Sequence, residues 1–258
     1  MALSPSPVGA TPRPMHSLLL VTPDSDAGLF KAVAARADVV VIDLARAVAP
    51  PRRALWRQRA AAFVAEKRSE VRLFVRINPL PSRLAADDLD AVVPSHPHGI
   101  ILPGAAGGAD VGRLSAMLRP REATAGIDDG AIAVIAMAGD TPAGLFALGS
   151  YGGATARLAG LGWDAAGLSA ALSAQSSRDA TGDLNDAGRL ARSLTLAGAA
   201  MAGVAAIDTP FLDTGDLAGL EREAERARND GFAAKFAVDP QQVAVINRVF
   251  APKAASNR

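Results

Sequence analysis

The sequence predicts a (β/α)8 TIM barrel that forms a single α/β domain. Eight short apolar runs recur along the chain, and continuous apolar runs are typical of parallel strands that are buried on both faces. A stretch long enough to form a helix follows each run. The chain has 258 residues, half of them hydrophobic, and single barrels of this kind commonly reach this length.

Each predicted strand is one of these apolar segments. In order, the strands are residues 17–22, 38–44, 71–78, 98–103, 131–138, 156–162, 204–209 and 234–238. The helical pattern is clearest in PPRRALWRQRAAAFVAEKR (50–68) and in LAGLEREAERARND (217–230), which ends before a glycine. We expect PREATAGIDDG (120–130) to be a surface loop. An open doubly wound sheet is the alternative, but VTPDSD (21–26) stands where that fold favours a glycine-rich turn.

The composition argues against several classes of function. With 27 basic and 26 acidic residues the net charge is +1, which argues against nucleic acid or an anionic membrane as the main partner. The chain has no cysteine, which excludes disulfides and thiolate sites. Its three histidines, His16, His96 and His98, are too few and too scattered to predict a zinc site.

The ends of the chain bear on its location. Residues 1–14, MALSPSPVGATPRP, lack the apolar run of a secretory signal, and their proline and serine content predicts a disordered leader. Residues 253–258 are expected to form a tail after a barrel that spans residues 15–252. No window of the sequence approaches ~18 consecutive apolar residues, the length that crosses a membrane. We therefore expect a cytoplasmic protein without a membrane partner.

Candidate functional residues stand at the carboxyl ends of the predicted strands, where the active sites of these barrels lie. They are Asp43 after strand two, Arg76 and Asn78 at strand three, Pro103 and Gly104 at strand four, Asp140 after strand five, and Asp164 after strand six. Asp43 ends an otherwise apolar, buried strand, so its carboxylate needs a partner.

Some of these residues have more than one interpretation. Arg76 is either the ion-pair partner of Asp43 or a bidentate clamp for a substrate carboxylate, and we favour the clamp. Asp140 opens the segment DTPAG, where its spacing is equally consistent with a helix N-cap and with a metal ligand. Asp208 and Asp239 each precede a proline by one or two positions, and we expect both to be helix caps.

Two other chemistries lack their residues. The sequence has no G-x-S-x-G segment and no histidine near a serine at a strand end, so Ser-His-Asp hydrolysis lacks its base. For a Schiff base, Lys31 and Lys67 are predicted to lie in helices, and Lys235 begins the last strand, on the wrong side of the barrel.

Several ordered segments carry a resemblance to a known family. They include SLLLVTPDS, ADVVVIDLARAVAPPRRA, VRINPL, GIILPGAAGGADV, DTPAGLFALGSYGGATARLAGLGW and DPQQVAVINRVFAP. Over residues 15–252 the chain resembles the citrate lyase β-subunit-like proteins of the HpcH/HpaI aldolase superfamily. The resemblance implies a TIM-barrel lyase that acts on a small oxo or hydroxy acid or its CoA thioester, with Mg²⁺ stabilising an enolate. It also implies a homo-oligomer, a trimer being one form.

The site residues implied by this resemblance are retained only in part. Arg76 matches the arginine that implies carboxylate binding, and Asp140 matches a metal glutamate but is one methylene shorter. Asp164 stands three residues before the position of the metal aspartate, so its recruitment requires a rebuilt loop. The family patterns DLEDAV, LPK, WGAEDL and IHP carry polar or charged residues that are here replaced by Ala45, Arg46, Gly104, Ala166, Gly167 and Asp239.

Two functions remain open from the sequence. In the first, the protein is an active carbon–carbon lyase in which Arg76 binds the substrate carboxylate and Asp140 and Asp164 share a Mg²⁺ ion or work without one. In the second, it is a catalytically degenerate paralogue that serves as a ligand-binding or partner subunit. The substitutions favour the second function on mechanism, because loss of an anionic ligand weakens Mg²⁺ binding and Arg46 adds a repelling charge.

Overall fold

The computed structural model describes residues 15–46 and 49–252. The predicted leader (1–14) and tail (253–258) lie outside the described residues. Eight parallel strands pair in sequence order, and the last pairs with the first, so that the sheet closes into a barrel. The predicted (β/α)8 fold is therefore confirmed.

All eight predicted strands are present, each one to three residues shorter than its predicted range. They are β1 (Ser17–Val21), β2 (Val39–Asp43), β3 (Arg72–Arg76), β4 (Gly99–Leu102), β5 (Ala133–Met137), β6 (Leu158–Gly162), β7 (Ala205–Asp208) and β8 (Ala234–Ala237). Most of their apolar residues are fully buried, as expected for strands that are covered by helices on one face and fill the barrel with the other.

The described residues form nine α-helices. They are α1 (Asp26–Ala34), α2 (Pro50–Lys67), α3 (Leu84–Val92), α4 (Gly108–Ala125), α5 (Pro142–Phe146), α6 (Ala165–Ala171), α7 (Asp186–Ala202), α8 (Leu217–Asp230) and α9 (Pro240–Phe250). Both helices predicted from their patterns, α2 and α8, are confirmed, and α8 ends at Gly231 in the left-handed conformation. Within the described ranges, no helix is both long enough and apolar enough to cross a bilayer.

The prediction of a surface loop at 120–130 is wrong for residues 120–125. Helix α4 continues through Pro120 to Ala125, and only residues 126–130 form the loop. The reason is a buried ion pair, because both oxygens of the fully buried Glu122 accept hydrogen bonds from Arg157. This pair anchors the last turn of the helix despite the proline within it.

The apolar residues form two layers. An inner cluster of side chains fills the barrel, including Val41, Phe74, Ile101, Ile135 and Phe236. A larger outer cluster lies between the strands and the helices. Because side chains fill the barrel interior, a ligand is expected to bind at the rim formed by the carboxyl ends of the strands.

Candidate functional site

A cavity of about 400 Å³ opens at the carboxyl-end rim. Its lining combines apolar residues from the ends of β1 and β8 with charged residues from four elements. The charged residues are Lys31 from α1, Asp43 and Arg46 from the end of β2 and its loop, Arg76 from β3, and Asp164 after β6. Three of the predicted site residues therefore converge on one cavity.

Asp43 and Arg76 form an ion pair across the rim, which is the alternative that the sequence favoured less than a substrate clamp. They are register partners on β2 and β3, and Arg76 Nη1 lies 3.3 Å from Asp43 Oδ2. Asp43 Oδ1 accepts a hydrogen bond from the Ala45 backbone N–H at 2.9 Å. Among the described residues, the buried Nε of Arg76 has no hydrogen-bond partner. Pairing with Asp43 thus leaves one nitrogen of a cavity-lining arginine without a partner in the described part of the chain.

The other predicted substrate-binding residues lie away from the cavity lining. Asn78 Nδ2 donates to Asp88 Oδ2 at 2.7 Å and to the Leu44 carbonyl at 3.1 Å, so both of its amide hydrogens tie β3 to neighbouring elements. Pro103 is buried. The backbone N–H of Gly104 donates to Asp140 Oδ2 at 3.0 Å. Their binding roles remain predictions, and the structure assigns Gly104 a contact that holds a candidate metal ligand.

Asp140 is not the helix cap that its spacing allowed. The cap of α5 is Thr141, whose side chain accepts from the Gly144 N–H. Asp140 itself is buried, and its Oδ1 has no hydrogen-bond partner in the described part of the chain. Burial raises the pKa of Asp140 to about 6, although the Gly104 N–H and the charge of Arg76 oppose this shift. The nearby charge of Asp164 also contributes to this raised pKa.

Asp164 lines the cavity from the start of α6. It is the N-cap of α6, where its Oδ1 accepts from the Ala166 N–H at 3.0 Å. A Cβ on Gly167 would lie 3.3 Å from Asp164 Oδ2 and 3.5 Å from Asp140 Cβ. The N-cap conformation thus folds the Asp164 carboxylate back beside residue 167, and its recruitment as a metal ligand remains a prediction.

The Asp140 and Asp164 carboxylates are chemically compatible with Mg²⁺. No group of three or more His, Cys, Asp or Glu side chains suited to a metal is found within residues 15–46 and 49–252. Asp140 Oδ1 has no partner, and the hydrogen bond of Asp164 uses Oδ1 and leaves Oδ2. Mg²⁺ is commonly held by one or two carboxylates together with substrate and water. The residues therefore fit the ion, with the second carboxylate supplied by Asp164 rather than from position 167.

The two predicted caps have different outcomes. Asp239 is the N-cap of α9 in a capping box with Gln242, as predicted. Asp208 is not a cap, because it is fully buried and accepts hydrogen bonds from Trp163 Nε1 at 2.9 Å and from Lys235 Nζ at 2.7 Å. The proline two residues later pointed to a cap, but the buried lysine on the next strand determines the role of Asp208.

Sequence reasoning missed two features of this region. Lys31 was set aside as a helical residue, and it does lie in α1, but it also lines the cavity. Lys235 lies outside the cavity lining, as expected, but it is fully buried and has three acceptors. A lysine inside a predicted buried strand is the signal that could have identified this network, because a buried ammonium requires acceptors.

Known proteins are similar in sequence to most of this chain. The model of the HpcH/HpaI aldolase/citrate lyase family matches residues 17–240. A citrate lyase subunit beta-like protein from Mycobacterium tuberculosis is 31% identical over 228 residues, which covers 86% of this chain and 74% of that protein. The citrate lyase subunit beta of Escherichia coli is 28% identical over 183 residues, covering 71% of this chain and 59% of its own length.

Solved structures extend the likeness to the fold. The citrate lyase beta subunit from M. tuberculosis, complexed with oxaloacetate and magnesium, superposes with a TM-score of 0.79 at 29% identity and covers 93% of this chain and 98% of its own. The same organism's protein in complex with magnesium, acetoacetate and coenzyme A gives a TM-score of 0.78 at 29% identity, covering 93% and 82%. RipC from Yersinia pestis gives 0.75 at 30% identity, covering 95% and 98%.

Proposed function

Because the chain belongs to the HpcH/HpaI aldolase/citrate lyase family, we propose that it is a carbon–carbon lyase or aldolase. Its substrate is a small oxo or hydroxy acid, free or as a CoA thioester, which binds in the rim cavity. Neighbours in structure bind ligands of this class, namely oxaloacetate, acetoacetate and coenzyme A.

The observation that carries this proposal is the Nε donor of Arg76, which has no hydrogen-bond partner in residues 15–46 and 49–252. A buried donor without a partner costs about 1–3 kcal/mol, and a ligand that accepts from it recovers this free energy. A guanidinium donates to both oxygens of a carboxylate through a fixed fork of N–H groups. Asp43 holds one side of Arg76 at the rim and leaves Nε for the carboxylate of the acid.

The remaining residues orient and enclose the ligand. Beside Arg76 and Asp164, the cavity has a small extension with an apolar floor of Ile101, Met137 and Phe236. This floor excludes water from one side of a small acid. Asp140 and Asp164 would hold Mg²⁺, which supplies Lewis-acid stabilisation of the negative charge that develops on the oxo group.

Removal of Arg76 tests the proposal. We expect Arg76→Ala to weaken oxaloacetate binding roughly 30-fold or more, because a charged anchor of the carboxylate is lost. The control is Arg72→Ala, which removes a guanidinium from the other end of the same strand. Isothermal titration calorimetry measures both variants. Equal affinity of Arg76→Ala and the wild type would rule out this anchor.

A degenerate, ligand-binding or partner subunit is the second candidate. Five rim positions lack the group found in the family patterns, namely Ala45, Arg46, Gly104, Ala166 and Gly167. The two functions separate in an assay with citryl-, malyl- and citramalyl-CoA at saturating Mg²⁺. Cleavage that disappears in Arg76→Ala supports the lyase, whereas Arg76-dependent binding without cleavage supports the degenerate subunit. The predicted homo-oligomer would be detected in either case by light scattering.

A further inference from the structure

A buried network outside the cavity is unused by the proposed reaction. The ammonium of Lys235, on β8, donates to Asp208 Oδ2 at 2.7 Å, to the Thr209 carbonyl at 2.7 Å and to Glu223 Oε1 at 2.8 Å. Lys235 and Asp208 are fully buried. Buried ion pairs are weak evidence for stability, because desolvation offsets their attraction and apolar replacements are often as stable. The network therefore calls for another role.

The same network holds the turn that carries Asp164. On one side of this residue, Trp163 Nε1 donates to Asp208 Oδ1 at 2.9 Å. On the other side, the Ala165 N–H donates to Thr209 Oγ1 at 3.0 Å. Both acceptors belong to the end of β7, and Lys235 contacts both residues. The chain on either side of Asp164 is thus fixed to one rigid strand end.

This anchoring has a physical reason at the site. Asp140 and Asp164 both lie beside Gly167, and two carboxylates that share a site repel each other. Repulsion favours movement of the less buried Asp164 into solvent, since Asp140 is enclosed. Bonds on both flanks of Asp164 oppose that movement.

We propose that Asp208, Thr209 and Lys235 are positioning residues that hold the turn at 163–165 so that the Asp164 carboxylate stays beside Asp140. This inference rests on the proposed function, because it assigns the network to the same metal and substrate site. The three residues touch neither ligand nor ion and act through Trp163 and Ala165.

Thr209 provides the sharpest test, because valine has its shape without its hydroxyl. Thr209→Val removes the acceptor of the Ala165 N–H, and Thr209→Ser restores it. The matched control is Thr195→Val on α7, since Thr195 is equally buried but its hydroxyl has no partner among the described residues. Thr195 also lies close to the turn at 163–165. Its Oγ1 and the Cβ of Trp163 both border Gly139, where a Cβ atom, if added, would contact both.

Two measurements decide the outcome. We expect Thr209→Val to speed amide hydrogen exchange in the segment 165–168 roughly tenfold and to weaken Mn²⁺ binding roughly tenfold. Thr209→Ser and Thr195→Val should match the wild type in both. Unchanged exchange in Thr209→Val, or faster exchange with unchanged Mn²⁺ affinity, would overturn the positioning role. If the wild type binds no Mn²⁺, the metal site of the proposed function fails, and the exchange measurement alone then decides whether the network anchors the turn.

Discussion

At the residue scale, the metal side of the site depends on which position supplies the second carboxylate. The family pattern has this acid at position 167, whereas here Asp164 folds back beside Gly167 as the N-cap of α6. The same region of space is thus reached from a position three residues earlier. The sequence pattern shows no acid at position 167, and only the N-cap conformation of Asp164 shows that a carboxylate still lies beside it.

Moving the carboxylate from position 164 to position 167 tests whether Asp164 takes the place of the metal aspartate of the family pattern. We expect Asp164→Gly to weaken Mg²⁺ binding roughly tenfold or more, because one of two carboxylates is lost. Glycine is a tolerated N-cap, so the helix itself loses only about a few tenths of a kcal/mol. The double variant Asp164→Gly/Gly167→Asp should recover binding when titrated by calorimetry. Wild-type affinity in the single variant would show that Asp164 is not a ligand.

At the element scale, His98 joins β3 to β4. Its Nδ1 accepts a hydrogen bond from the Leu73 N–H at 3.1 Å, and its own backbone N–H donates to the Leu73 carbonyl at 2.9 Å. Burial lowers the pKa of His98 below its ordinary value of 6.5, and the charges of Arg68 and Arg72 add to the effect. The folded protein therefore holds the imidazole neutral as an acceptor.

This shift predicts a loss of stability in mild acid. As the pH falls through 6.5, the unfolded chain takes up a proton that the folded protein resists, so the free energy of unfolding decreases. His98→Asn keeps an acceptor but does not titrate, and its stability should depend less on pH between neutrality and about pH 5. Urea denaturation at both pH values measures the difference, with His96→Asn as the control. An identical pH dependence in His98→Asn and the wild type would contradict this assignment.

The elements themselves were largely predictable, and the direction of their side chains was not. Apolar runs located all eight strands, because strands buried on both faces must be apolar throughout. For the same reason the runs do not show which residues face the interior. Asp208 on β7 therefore looked like a cap, although it faces the outer layer and Lys235. Helix α4 was cut short in the prediction because its anchor, Arg157, lies 35 residues from Glu122 in sequence.

At the scale of the whole molecule, closure of the barrel brings the site together. Asp43, Arg76 and Asp164 come from three separate strand ends and line one cavity. The sequence predicted this convergence, since eight strand–helix units define a single rim. It could not predict that the cavity extends to Lys31 on α1, because that reach depends on how the helix packs against the strands.

We propose that this rim binds a small oxo acid through Arg76, beside Mg²⁺ held by Asp140 and Asp164. The decisive measurement is a crystal structure of the wild-type protein with Mg²⁺ and oxaloacetate. We predict a carboxylate of the acid on Arg76 Nε and an ion in contact with Asp140 Oδ1 and Asp164 Oδ2. Oxaloacetate bound away from Arg76, or a rim without ligand and ion at saturating concentrations of both, would contradict the claim.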